Sequence, residues 1–146
     1  MVSFPVDHEI EYEQVTSSIQ AHWLHDGRMI VYDVWADIDS DYVVHTLYDH
    51  IDTVVKGWDI DRPFLSLWHH HDILPMWSPL QNQRLGQLKN LAKQHFSSGR
   101  AAVILPQTPL TLIIQMVLRT IKVGGIDIRE FSSYDKAMAW LEELLD

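Results

Sequence analysis

Three consecutive histidines followed by an aspartate, His69-His70-His71-Asp72, form the densest run of metal-ligating side chains in this chain. Side chains alternate along a strand, so His69 and His71 share one face while His70 points to the other. A His-x-His pair chelates zinc, nickel or copper, and a protein site needs a third or fourth ligand. Asp72 is the nearest candidate, and His22 or His25 on an earlier hairpin are the others. The segment closes an apolar strand, the end at which open α/β sheets place their ligand sites. The competing reading is a set of polar residues at a strand end that takes up zinc or nickel adventitiously, since no spacing demands a third ligand. On that reading the chain needs no cofactor.

Other chemistry is sparse. Asp41, His45 and Asp49 stand four apart and read as one solvated face of a helix. The chain has no cysteine, which removes thiolate nucleophiles, disulfides, iron–sulfur clusters and Cys-ligated zinc. Neither common Gly-rich phosphate loop is present, nor a Gly-x-Ser-x-Gly elbow. No catalytic residue is nominated, and a non-enzymatic role is expected.

The second candidate site is apolar. Between Pro109 and Val123 Gln115, Arg119 and Lys122 are the strongly polar positions of a helix otherwise dominated by Leu, Ile, Met and Val. A helix apolar on most sides is buried by its own domain, forms a subunit interface, or walls a pocket. In the pocket case the ligand sits between this helix and the sheet. Met76, Trp77 and Ser78 from the preceding crossover, with Ile113 and Val117, are then its contact residues.

These residues must be held by regular elements. Ile19 to Leu24 and Met29 to Ala36 read as two strands joined by His25-Asp26-Gly27-Arg28, a hairpin turn with Asp-Gly at its centre. Asp39 is the expected N-cap of a helix whose stripe is Val44, Leu47, Ile51, Val54 and Trp58, ended by Gly57. Arg62 to His70 is a strand, and Asp72 to Trp77 a loop. Ser78-Pro79 caps a helix that runs to Phe96 and buries Leu85, Leu88, Ala92 and Phe96. Arg100 to Pro106 is the next strand, and Thr108-Pro109 opens the apolar helix that Gly124-Gly125 ends. Ile126 to Phe131 alternates as a strand, and Ser132 with Asp135 caps a last helix carrying Ala137, Trp140, Leu141 and Leu144. The order ββαβαβαβα predicts an α/β domain: a mixed, mostly parallel five-stranded sheet with one antiparallel hairpin strand and four helices.

A chain of 146 residues, 47% of them hydrophobic, suits one domain over residues 18–146, preceded by an acidic N-terminal extension at 1–17. The net charge of −9 is concentrated: residues 1–73 hold fourteen acidic against three basic side chains. That balance argues against nucleic acid as a partner. Met1 to Gln14 lacks the basic and apolar regions of a signal peptide, and no apolar run approaches the ~20 residues of a membrane span, so a cytoplasmic protein is expected.

This element order resembles the STAS domain and, more narrowly, the SpoIIAA-like proteins. The resemblance rests on Trp23 with Arg28-Met29-Ile30, Arg100-Ala101-Ala102-Val103, Ile128-Arg129-Glu130-Phe131 and Ala137-Met138-Ala139-Trp140-Leu141. It implies a regulatory or protein-interaction module, with a protein partner or a second copy of itself as a homodimer. Related folds imply the alternative, a binder of a small lipid-like molecule; a metal-dependent enzyme centred on His69 and His71 is third. Anti-sigma-factor antagonists of this fold carry Asp-Ser-[Ser/Thr]-Gly after the third strand. Here the segment from His69 to Pro79 lacks it, and the hydroxyl of Ser78 is assigned to helix capping.

Overall fold

The computed structural model describes residues 11–35, 40–71, 78–108 and 111–145, and leaves out the side chains of Ile114 and Val117. Six strands and four helices follow in the order β1(Tyr12–Thr16), β2(Ile19–Leu24), β3(Met29–Val34), α1(Asp41–Gly57), β4(Phe64–His70), α2(Pro79–His95), β5(Gly99–Ile104), α3(Thr111–Thr120), β6(Ile126–Phe131) and α4(Tyr134–Glu142). The strands lie in the sheet in chain order. β1, β2 and β3 pair antiparallel, and β3 to β6 pair parallel.

The sheet therefore has six strands where five are expected. The additional strand, β1, lies inside the acidic segment. It is an edge strand, and its exposed, polar character is what such an edge requires. Two contacts hold it: Tyr12 packs on the His22 ring, and Glu13 pairs with Nε2 of His50 at 3.1 Å. His50 Nδ1 in turn lies 2.9 Å from the buried Tyr32 hydroxyl, which ties β1 to α1 and β3.

Between β2 and β3, Arg28 N donates to His25 O, leaving Asp26 and Gly27 as central residues with φ of 57° and 81°. Positive φ at both is the I′ geometry that the Asp-Gly pair predicts. Ser78 caps α2 as expected, accepting from Gln81 N at 3.1 Å with Pro79 in the first turn. Two other caps sit one residue later than expected. Ser40, not Asp39, accepts from Val43 N, and Ser133, not Ser132, accepts from Lys136 N.

Parallel neighbours stepping in one direction by right-handed crossovers place α1, α2 and α3 on one face of the sheet. The stripe Val44, Leu47, Ile51, Val54 is buried there against Ile19, Ile30, Tyr32, Val34 and Phe64. α4 alone covers part of the other face, over Met29, Val31, Leu65, Leu67, Ala102 and Ile104. Its Trp140 lies between the guanidinium groups of Arg100 and Arg129, 4.7 and 4.9 Å from the ring. Arg100 also donates to Trp140 O, which fixes the helix end to the sheet.

One expectation about the helices needs correction, and one of the alternatives left open for α3 falls away. His45 and Asp49 are not merely a solvated face, because Arg84 of α2 donates to His45 Nδ1 and to Asp49 Oδ1, each at 2.7 Å, and to Asp52 Oδ2 at 3.3 Å. This fork locks α1 to α2. The apolar α3 is also not enclosed by its own domain: Leu112, Ile113 and Met116 are 68, 57 and 66% exposed, while Leu118 is buried. α3 is the last helix of its face, packed along β6 at the sheet edge, so nothing among the described residues lies over its outer side.

Candidate functional site

Two sites lie on opposite faces of β3 and β4. The strand period decides which residue serves which: Ser66, Trp68 and His70 project toward α1 and α2, and His69, like Leu67, projects to the face of α4.

On the helix-rich face is a cavity of about 170 Å³ between the sheet and α1, α2 and α3. Leu47 and Ile51 of α1, Leu85 and Leu88 of α2, and Ala101 and Val103 of β5 are among its apolar walls. Leu85 and Leu88, expected to be buried, are only half-buried, in keeping with their place on the cavity wall. Its polar lining is Ser66, Gln81 and His70. Ser66 Oγ accepts from the Trp68 indole at 3.2 Å. His70 is 8% exposed, and its Nδ1 has no hydrogen-bond partner among the described residues. Burial, reinforced by the neighbouring rings of His69 and His71, pushes the His70 imidazole down to about 4. It is a neutral, orphaned polar group in an apolar wall.

On the opposite face, where α4 leaves the sheet uncovered, four side chains from three adjacent strands converge. The pairing of β3 with β4 sets Asp33 opposite His69. His71 continues the pairing, its N donating to Val34 O at 2.8 Å. Its Nε2 donates to Asp33 Oδ1 at 2.8 Å, and His69 Nδ1 is 3.8 Å from the same oxygen. The His69 and His71 rings stack at 3.7 Å, with Trp35 against the outer face of His71 and Tyr134 beside His69. From β2, His22 Nδ1 approaches Asp33 Oδ2 at 3.6 Å. Burial lowers the pKa of His22 against the opposing pull of Asp33. His69 is lowered too, by burial first and then by His71. These two rings are held in the neutral form that ligates metals.

Of the residues nominated from sequence, His69, His71 and His22 come together, and Asp33 joins them. Asp72, Met76 and Trp77 lie outside the described residues, as does the Val117 side chain. Ser78 is spent on its cap, and Ile113 is exposed to solvent; among the described residues of α3 the cavity is lined by Leu118. His25 pairs elsewhere, with Glu142 at 3.0 Å. Sequence reading missed Asp33 and His70. The available signal was strand parity: Met29, Val31 and Asp33 share a face, and so do Ser66, Trp68 and His70.

A crystal structure of an uncharacterised protein of the DUF3478 family from Shewanella loihica, described as having a SpoIIAA-like fold, superposes with a TM-score of 0.52 over 90% of this chain and 91% of that one. The chain has a SpoIIAA-like fold. At 15% identity the likeness extends to architecture and no further. No protein-family model and no curated protein matches the chain. The SpoIIAA-like sheet, mostly parallel with an antiparallel end and four helices, is the scaffold that sets the two sites back to back. No helix among the described residues of this SpoIIAA-like chain is long and apolar enough to cross a membrane.

Proposed function

We propose that this domain is a non-enzymatic binding module whose cavity takes a small apolar molecule with one polar group. The observation that carries this reading is the apolar space of about 170 Å³ whose lining includes His70, a buried histidine whose Nδ1 has no hydrogen-bond partner among the described residues. The size of this space is close to that of the ~150 Å³ apolar cavities that admit an aromatic ring. A ligand that fills it covers apolar walls and gives a buried polar side chain a partner.

Aniline, one aromatic ring with one amine, tests the reading by isothermal titration calorimetry of the untagged protein. Saturable one-to-one binding is expected. Ala101, on the cavity wall, is buried with 8% exposure, so Ala101→Leu fills part of the space. This variant should bind the probe about tenfold or more weakly while its thermal midpoint holds or rises. Unchanged affinity in a folded variant would mean that the probe sits elsewhere.

A second reading, a protein-interaction or regulatory module acting through self-association, is favoured by one observation. Leu112, Ile113 and Met116 expose three large apolar side chains on one ten-residue helix, and an exposed patch of this kind marks contact surfaces. Sedimentation velocity should then show a dimer for the native chain and a monomer for Met116→Lys. A native monomer at micromolar concentration removes this reading and leaves the cavity untouched.

A further inference from the structure

We infer that Asp33, His69 and His71 form a binding site for a first-row divalent transition metal ion such as zinc or nickel, with His22 seated behind the carboxylate as its positioning partner. The donors come from two paired strands, and the sheet register, which places Asp33 beside His69 with His71 two residues on, sets their spacing. One ligand atom from each of the three lies within 4.8 Å of the others. Bonds of about 2.0–2.2 Å to zinc place tetrahedral donors roughly 3.3–3.5 Å apart. The gap is closed by small turns of two imidazoles whose side chains are each 24% exposed. The same exposure gives an ion its way in.

An ion pair alone does not explain the group. One carboxylate oxygen takes one ring N–H, and the His71–Asp33 hydrogen bond accounts for that one. His69 is stacked on His71 with its Nδ1 turned to the same oxygen, at a distance too long for a hydrogen bond. His22 supplies an independent observation: it is 7% exposed, and its Nδ1 aims at Asp33 Oδ2 without a hydrogen-bond partner among the described residues. A ligating carboxylate needs its second oxygen fixed by an outer donor, and His22 occupies that place. Two imidazoles and one carboxylate suit zinc, nickel or cobalt better than calcium or magnesium. Three protein donors also leave coordination positions open to solvent. The site faces away from the cavity, so it stands or falls independently of the apolar ligand.

Untagged protein, stripped with chelator, is titrated with Zn²⁺, Ni²⁺ and Co²⁺ against a chromophoric competitor, and the Co²⁺ complex is followed by its visible spectrum. One ion per chain is expected, with a dissociation constant of about 10 μM or tighter. His71→Ala and Asp33→Asn should each weaken binding by about 100-fold, and His22→Gln by roughly tenfold, the scale of outer-partner effects. His95→Ala, at the far end of α2, should leave it unchanged. Sub-stoichiometric binding, or affinity that survives His71→Ala within twofold, identifies an adventitious ion only and overturns the site. Loss with His71→Ala but not with Asp33→Asn or His22→Gln reduces it to a chelating His pair and overturns it equally. Circular dichroism of each variant in chelator confirms its fold. If His22→Gln does not fold, the other two variants decide.

Discussion

Gly125→Ala is expected to lower the stability of this protein by about 3 kcal/mol or more, enough to drop its thermal midpoint by roughly 10 °C. A Cβ at residue 125 would overlap the carbonyl oxygen of Ser97, a backbone atom that cannot turn aside. Gly99→Ala should cost as much, since its Cβ would lie 2.5 Å from Phe64 O and 3.1 Å from Cγ1 of Ile126. Both glycines sit where β4, β5 and β6 begin and the chain crosses close to itself: Phe64 N donates to Ser98 O at 3.1 Å, and Ile126 N to Val123 O at 2.9 Å. Relief would require moving strand ends already committed to the ladder. Gly86 provides the internal contrast. A Cβ there meets nothing within 4 Å, and the residue lies within α2, so Gly86→Ala should gain about 1 kcal/mol from helix propensity alone. Chemical denaturation of the three variants checks the pattern. Equal effects at 86, 99 and 125 would show that glycine is used here for chain flexibility and not for close approach.

Gly99 also shows what a single sequence conceals. Its identity can be read, but the atom it must avoid belongs to a residue 35 positions earlier. What was legible is local. Buried strands such as Phe64–His70 and Gly99–Ile104 announce themselves as apolar runs, and Ser78-Pro79 and Asp26-Gly27 set a helix start and a turn by their own chemistry. What was not legible depends on pairing. β1 is polar and acidic, and beyond its ladder with β2 it is held by His50 and His22, contacts made across the fold. Adjacent capping residues, Asp39 with Ser40 and Ser132 with Ser133, are chemically equivalent choices that only the entry angle of the chain separates. The apolar circumference of α3 marks a helix but cannot reveal that it is the last one on its face. The same limit explains the site. His69 and His71 are visible as an alternating pair, whereas Asp33 joins them through a register fixed by the whole sheet.

His70 separates the demands of stability from those of binding. Its imidazole is 8% exposed, its Nδ1 has no partner among the described residues, and it is pushed down to about 4 by burial and by the rings of His69 and His71. An unfolded histidine takes its proton near pH 6.5. Above that pH both states are neutral and the folded state keeps its full stability. As the pH falls from 6.5 toward 4, the unfolded state binds a proton that the folded state refuses, and stability drains away by about 3 kcal/mol. Below the folded value this contribution is exhausted. His70→Leu, similar in volume and without a polar atom, should therefore flatten that part of the acid limb. It should also raise stability at pH 7.5 by about 1–2 kcal/mol, because an unsatisfied buried polar atom is removed. Urea unfolding of both proteins at pH 7.5 and 4.5 reads the two effects. The gap between them must widen at the lower pH, and parallel curves would mean that His70 is charged or solvated in the folded protein. If His70 is the polar anchor of the cavity, the stabilised variant should bind aniline several-fold more weakly, an expected loss on removing one hydrogen bond of about 1 kcal/mol. A residue that weakens the fold and strengthens the complex is one retained for its ligand, whereas a variant both more stable and equally competent would leave His70 without a role in the cavity.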